Sequence, residues 1–466
     1  MNACSLLPAY NRHSEQSYCN DDGCGSSSEQ EDDGFPSRSQ FIHELIQAFK
    51  IFQPKDGLKL ENDDGENDET HKSQTNLSNL SPINNNMNNR ADIEIVEPEK
   101  ALLHELELFH SRDYLKTIFK IDKFLRRNEK SKPSSSDEYE TNDELMNDSE
   151  NESSDSSSDD KDDEEEIKEL RKKFGLVDDA HDFPGMLNYI LWLGGSCKTM
   201  ASIVNKFCAE NVGKQHSLTI FNWEGGRHHA RKARAAGFCY VNDIVLLALQ
   251  IKRKRIMCID VDVHHGDGTQ EAFFNSDRVL TISFHQFGPG LYPGTGEVSE
   301  TGQGRGKNRN INVPLKEGLT DDMFQPLFQK IVSKAYEKFK PDVVLLINGA
   351  DNLNGDPLGS WNLSISSFQF LSSFVRNVLK PEITIILGGG GYNYINTAIA
   401  YATVSNVFVN NKYLPESIPE HRYFEFYKNN GFCTNVSRGH RQNMNTAEYI
   451  KQVGDDIGDV LDKLSV

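Results

Sequence analysis

The stretch CIDVDVHHGDG, residues 258–268, begins as an apolar run and then places Asp260, Asp262 and His264 at every second position, with His265 and Asp267 close behind. A continuous apolar run suits a buried strand. Carboxylates and imidazoles at the end of such a strand are costly unless something compensates their charge. Residues two apart on a strand face the same side, so this reading puts Asp262 and His264 together at the carboxyl end of a core strand.

Working outward, four more apolar stretches read as strands: 218–222, 278–284, 342–348 and 383–387, beside 255–263 itself. Each is continuous rather than alternating, as parallel strands covered on both faces are. Helix-like stretches separate them at 185–210, 240–252, 319–339, 364–379 and 394–409, and further helices are expected upstream at 37–52 and 97–119. This βαβ rhythm predicts an α/β fold, one domain built on a largely parallel sheet with helices on both faces. In such sheets ligands sit beyond the carboxyl ends of the strands, which is where the unusual residues fall.

The chain has 466 residues and a net charge of −20. Two polar segments stand apart, 55–92 and 128–168. Between Asp137 and Glu166 there are 16 acidic residues against the single Lys161, so this block carries −15 of the total. Such composition buries too little apolar area to offset chain entropy. Both segments are therefore expected to be disordered insertions into a single domain of residues 1–440, followed by a C-terminal helix within 441–466. The acidic block reads as a solvated loop; an arm for a basic partner, or a phosphoserine cluster at Ser153, Ser154, Ser156, Ser157 and Ser158, is the alternative. The remaining charge, near −5, is ordinary for an enzyme and offers no basis for sequence-specific nucleic-acid binding. No apolar run is long enough to span a membrane, and the N-terminus does not read as a signal peptide. The eight cysteines are scattered without a CxxC pair, which points to a reducing compartment.

Asp262 and His264, with Asp351 from the strand that ends INGADNLNGD (347–356), form an oxygen-rich three-ligand set of the kind that leaves open positions on a catalytic zinc. A hydrogen-bonded pair at a strand end is the alternative for Asp262 and His264. The strand at 218–222 runs into GGRHH, where His228 and His229 suit general acid and base work, with Asp260 and Asp267 as carboxylates to fix their tautomers. A pair of surface histidines is the alternative there. The strand at 383–387 runs into four glycines, Gly388 to Gly391, and Tyr392, whose phenol can donate to a developing oxyanion. The loop lacks the lysine and hydroxyl of GxxxxGK[ST], which argues against a phosphate cradle. Together the strand ends predict metal-assisted amide hydrolysis.

At these residues the chain resembles the zinc-dependent histone deacetylases, class I most closely, and a divergent fungal member of the Hos type. The matching blocks are WEGGRHHARKARAAGFCYVND, IDVDVHHGDGTQEAFF, TISFHQFGPGLYPGTGE, NGADNLNGDPLGSWNLS and LGGGGYN. The resemblance implies the arginase/deacetylase fold with an eight-stranded sheet, and hydrolysis of N6-acetyl-lysine on histones or other chromatin proteins. It assigns Asp262, His264 and Asp351 to zinc, His228 and His229 to the catalytic pair with partners Asp260 and Asp267, and Tyr392 to the oxyanion. Gly237 and Phe238 would form one wall of a channel for the acetyl-lysine stem, with Tyr292 opposite and Leu358 at the rim. A potassium ion would lie nearby, held by carbonyls of Asp260, Asp262, His264 and Phe284 and the Ser283 hydroxyl.

The chain also departs from the family. Pro357 and Ile395 stand where corepressor-bound class I members carry inositol-phosphate-binding arginines, so such an assembly is not expected. Members with a proline like Pro357 can act alone, and some act on acetylated cohesin. An acidic residue at the channel mouth is expected within 128–180 without a specific position. The family implies a nuclear location, with the cytoplasm as a second; KRKR at 252–255 reads as a surface turn before a core strand rather than a targeting signal. The competing functions are an acetylpolyamine deacetylase and a non-catalytic chromatin scaffold.

Overall fold

The computed structural model describes residues 2–6, 36–52, 92–130, 159–253 and 255–464. Its centre is an eight-stranded sheet: β1 (Asn2–Leu6), β2 (Asp92–Val96), β3 (Leu218–Asn222), β4 (Ile256–Asp260), β5 (Val279–Gln286), β6 (Asn310–Leu315), β7 (Val343–Ile347) and β8 (Ile383–Leu387). Their order is β2-β1-β3-β8-β7-β4-β5-β6, and every pairing is parallel. The central strands β7 (VVLLI) and β8 (ITIIL) are buried along their whole length, as aliphatic runs covered on both faces should be.

Helices α1 (Arg38–Ala48), α2 (Arg112–Lys130), α3 (Asp159–Phe174), α4 (Met186–Glu210), α5 (Asp243–Gln250), α6 (Asp267–Phe273), α7 (Asp321–Phe339), α8 (Ile365–Phe374), α9 (Tyr394–Asn410) and α10 (Ala447–Asp462) surround it. On one face α1, α7, α8 and α9 pack together over a core containing Phe41, Phe328, Phe368 and Tyr401. On the other, α2, α4 and α5 pack together over a core that includes Leu193 and Met200 of α4 and Ile244 and Leu247 of α5. Helix α10 lies against α7 and β6, buries Val453, Ile457 and Leu461, and pairs Asp455 and Asp462 with Lys330 and Lys334 at 2.8 and 2.7 Å.

Several boundaries differ from the sequence reading. Strand β4 stops at Asp260, so Asp262 and His264 lie in the following turn rather than on a strand; the Asp260 carboxylate accepts the Asp262 amide at 3.0 Å and bends the chain there. Strands β1, β2 and β6 are not among the aliphatic runs read from the sequence. Of these, β6 (NINVPL) holds Pro314 and pairs only with β5, an edge position that tolerates the missing amide. The expected helix 97–119 is instead a 3-10 helix, Leu103–Leu108, followed by α2.

Of the insertion expected at 128–168, both flanks are helical and only 131–158 lies outside the described residues. Helix α3 forms because Ile167, Leu170 and Phe174 share one face, with Ile167 and Phe174 buried, while its acidic start and basic last turn match the helix dipole. Apart from Asp92, the segment 55–92 lies outside the described residues, as does Lys254 of KRKR.

Candidate active site

The strands β3, β8, β7 and β4 are consecutive across the sheet, so the loops leaving their carboxyl ends emerge side by side. These four loops carry His228 and His229, Tyr392, Asp351, and Asp262 with His264, respectively.

Asp262, His264 and Asp351 each offer one donor atom, and the three atoms lie within 4.8 Å of one another. Both carboxylates are fully buried. His264 Nδ1 lies 3.2 Å from Asp262 Oδ1 and 3.0 Å from Asp351 Oδ2. Backbone amides orient the carboxylates: Gly390 donates to Asp262 (2.6 Å), and Val263 to Asp351 (2.9 Å). A Cβ on Gly390 would come within 2.2 Å of Asp351 Oδ2, so only glycine lets that backbone cradle the pair. Burial, then the Asp262 charge, pushes Asp351 up to about 8, while His264, although burial opposes it, is drawn well above the usual imidazole range by both carboxylates. Two buried carboxylates this close call for a cation, and a mixed O/N set of three donors with a side left open fits a divalent ion such as zinc.

Two histidine–carboxylate pairs flank this cluster. His228 Nδ1 lies 2.8 Å from Asp260, and His229 Nδ1 lies 2.7 Å from Asp267. The Gly225–Gly226 turn that presents them is held by Asp243, whose carboxylate accepts the Gly226 and Arg227 amides at 2.9 and 2.7 Å. The two imidazoles are pushed apart electrostatically. Burial opposes protonation of His228, but Asp260, with Asp262 behind it, raises it to about 9. Burial, then the charge of His228, pulls His229 down to about 4. Its partner Asp267 also accepts from Arg231 at 2.7 Å, so part of that carboxylate's charge is already answered.

Above the cluster stand two aromatic walls. Phe238 packs against Tyr392 (ring centroids 5.7 Å), and Tyr292 packs edge-on against His229 (4.9 Å) and His264 (6.1 Å). Phe238 and Gly237 both adopt left-handed backbone, φ +60° and +54°. Leu358 and Tyr292 are partly exposed, 47% and 40%. Burial, then the carboxylates Asp351 and Asp262, holds the Tyr392 phenol well above its usual range, so it stays a donor. Ser283 sits opposite Asp260 in the β4–β5 register, its hydroxyl 2.9 Å from His285 Nδ1, and Phe284 is buried in the core.

Two contributors escaped the sequence reading. The 3-10 helix Asp178–Ala180 brings Asp179 beside Phe238 and Tyr292. Its carbonyl accepts the Phe238 amide at 3.0 Å, and its charge helps raise the Tyr292 phenol, after burial. The adjacent pair Asp178-Asp179, just after an α3 that the acidic block disguised, was the available signal. Asp356 takes three amides on its buried carboxylate, from Leu358 (2.9 Å), Tyr392 (2.7 Å) and Asn393 (3.2 Å). It thereby ties the rim loop to the loop carrying the phenol.

Comparison with known proteins agrees with this geometry. A family model described as the histone deacetylase domain matches residues 69–408. Histone deacetylase 1 of Homo sapiens is 35% identical over 364 residues, covering 78% of this chain and 65% of the human protein. Histone deacetylase 9 of Arabidopsis thaliana is 39% identical over 284 residues, 60% of this chain and 64% of the plant protein. The Drosophila melanogaster histone deacetylase HDAC1 is 34% identical, over 78% of this chain and 60% of its own length. The chain thus spans under two thirds of the length of these relatives. With the family match running through all four site-bearing strands, this chain belongs to the histone deacetylase family.

Proposed function

We propose that this chain is a zinc-dependent protein-lysine deacetylase that hydrolyses N6-acetyl-lysine on histones or other chromatin proteins. The observation that carries it is the buried Asp262–His264–Asp351 cluster, flanked by two histidine–carboxylate pairs, with the Tyr292 ring against His264 and the Phe238 ring against Tyr392. When bound at this cluster, zinc supplies a Lewis acid and lowers the pKa of coordinated water to about 7.

The chain's own residues supply the rest. Phe238 and Tyr292 hold the four-methylene stem of the substrate lysine, and Asp179 at the rim accepts from its backbone. His229, neutral in the resting site and tied at Nδ1 to Asp267, keeps Nε2 free to take the proton from the attacking water. It returns that proton to the lysine nitrogen as the C–N bond breaks, giving lysine and acetate. His228, held at Nδ1 by Asp260, turns its Nε2 N–H toward negative charge growing on the carbonyl oxygen. Tyr392 donates its hydroxyl to the same oxygen. Asp260 and Ser283, side by side on β4 and β5, suit the potassium assignment with Phe284.

The likeness to histone deacetylase 1 supports class I placement, histone substrates and a nuclear location; among the described residues no helix is long and apolar enough to cross a membrane. Pro357 and Ile395 supply no guanidinium for inositol phosphate, and with them goes a solitary enzyme whose substrates include cohesin. The domain is taken as 1–440, with α10 as an appended helix.

The test is acetate release from an acetyl-lysine peptide by the purified chain, beside Asp262→Ala, His264→Ala and Tyr392→Phe. All three should be inactive or nearly so, Tyr392→Phe losing about 10²–10³ in kcat. Turnover unchanged in the three variants refutes the reading. Faster turnover of acetylspermidine than of peptide would move the assignment to acetylpolyamines.

A further inference from the structure

In an all-parallel sheet every loop that enters a strand lies at one edge, opposite the edge that carries the site. Here that far edge is basic. One cation precedes each of six adjacent strands: Lys214 before β3, Lys380 before β8, Lys340 before β7, Lys252 before β4, Arg278 before β5 and Lys307 before β6. All but Arg278 are exposed, and Arg278 is half-buried. The same strand entrances add Arg253, Arg255, Arg305 and Arg309.

Against these ten cations the residues leading directly into the strands hold three carboxylates, Asp277, Asp342 and Glu382. Two of the three are engaged: Glu382 lies 3.5 Å from Arg253, and Asp342 accepts the Arg255 amide at 2.9 Å. The chain as a whole is −20, so the edge runs against its average. Helix dipoles account for a cation in the last turn of a helix, as for Lys340 after α7. They do not account for Lys307 and Arg309, which follow the single-turn 3-10 helix Gly304–Gly306 that holds Arg305 and lie far along the chain from α6.

We infer that this edge is a docking surface for the phosphate backbone of duplex nucleic acid, recognised without regard to sequence. Six strands at about 4.8 Å spacing spread the cations over roughly 24 Å. A duplex presents a charge every ~1.7 Å of its axis, about 14 over that length. The exposed aliphatics at this end, Val212, Leu249 and Val378, come singly from separate helix ends rather than from one amphipathic face, which disfavours a bilayer. Bound this way, the chain would present its site away from the nucleic acid.

The test is fluorescence anisotropy of the full chain with a mixed-sequence 24-base-pair duplex between about 50 and 200 mM salt. The comparison is the triple variant Lys214→Glu/Lys252→Glu/Lys307→Glu. The wild type should bind with a steep log–log salt dependence. The variant should bind about ten-fold or more weaker, with the slope reduced by about three. No wild-type binding at the lowest salt, or equal binding by the variant, overturns the inference. So does tighter binding to poly-glutamate or to phosphatidylserine vesicles than to the duplex. Turnover of a free acetyl-lysine peptide should be equal in both proteins, which shows the variant folded. Absence of turnover in both would count against the deacetylase reading, and coincident melting curves would then show the variant folded and keep the binding comparison decisive.

Discussion

Replacing Gly237 by alanine tests the slot and the His229 pair together. Gly237 has φ +54°, and a Cβ there would lie 2.3 Å from His229 Cδ2 and 2.7 Å from the Tyr292 hydroxyl. Ordinary contact begins near 3.4 Å, so the imidazole must retreat by roughly 1 Å. It cannot do so freely, because Asp267 grips Nδ1 at 2.7 Å and is itself held by Arg231. The left-handed backbone adds about 1–2 kcal/mol of strain for a residue with a Cβ, which lowers Tm by only a few degrees in a domain of this size. Misplacing a catalytic group by about 1 Å costs about 10² in rate, or about 2.7 kcal/mol of transition-state stabilisation. Gly237→Ala should therefore lower kcat/KM for an acetyl-lysine peptide about 100-fold while the protein stays folded, as steady-state kinetics and a melting curve would show. A variant within about two-fold of the parent would refute both the placement of His229 and its part in the reaction.

Removing the metal with a chelator should abolish peptide turnover and lower Tm, since Asp262 and Asp351 then lose their countercharge, and added Zn²⁺ should restore both; full turnover in the metal-free protein would contradict the ligand assignment. Asp356→Ala leaves three backbone amides of the Tyr392 and Leu358 loops unpaired at about 1–3 kcal/mol each, so kcat should fall at least ten-fold with little change in KM, and Asp356→Asn should recover part of it; an effect on KM alone would show that Asp356 does not position the phenol. His110 is buried and held at about 4 against an ordinary 6.5. Because the folded pKa lies below the unfolded one, its stabilising contribution is complete above about pH 6.5 and is lost as pH falls towards 4, by about 3 kcal/mol in all. Urea unfolding of metal-free protein should show a steeper slope between pH 6.5 and 4 in the wild type than in His110→Gln, with His229, also held at about 4, contributing to both; equal slopes would show that His110 does not titrate in this range.

Much of this was legible along the chain. Aliphatic runs with helix-length spacers gave the parallel α/β body, because strands buried on both faces leave no room for alternation. The polar residues at the ends of those runs marked the site, because charge is not placed there without compensation. The sequence also supplied both histidine–carboxylate pairs, since each pairing seen in the structure joins residues already singled out. Helix α3 was hidden, because its apolar face of Ile167, Leu170 and Phe174 is sparse beside the acidic run before it, and burial against α2 and its neighbours outweighs that composition. Asp179 was hidden with it.

Strand order was decided only in three dimensions. Local pattern does not say that β3, β8, β7 and β4 are neighbours, and that adjacency alone turns four separate loop motifs into one site. The opposite electrostatic states of His228 and His229 also depend on tertiary structure: the two are consecutive in sequence, but one faces Asp260 and Asp262 and the other shares Asp267 with Arg231. The basic far edge has the same origin. Its cations are scattered over more than 160 residues, and it is the parallel sheet that brings all the strand entrances to one side and the metal-ligand cluster with its histidine pairs to the other.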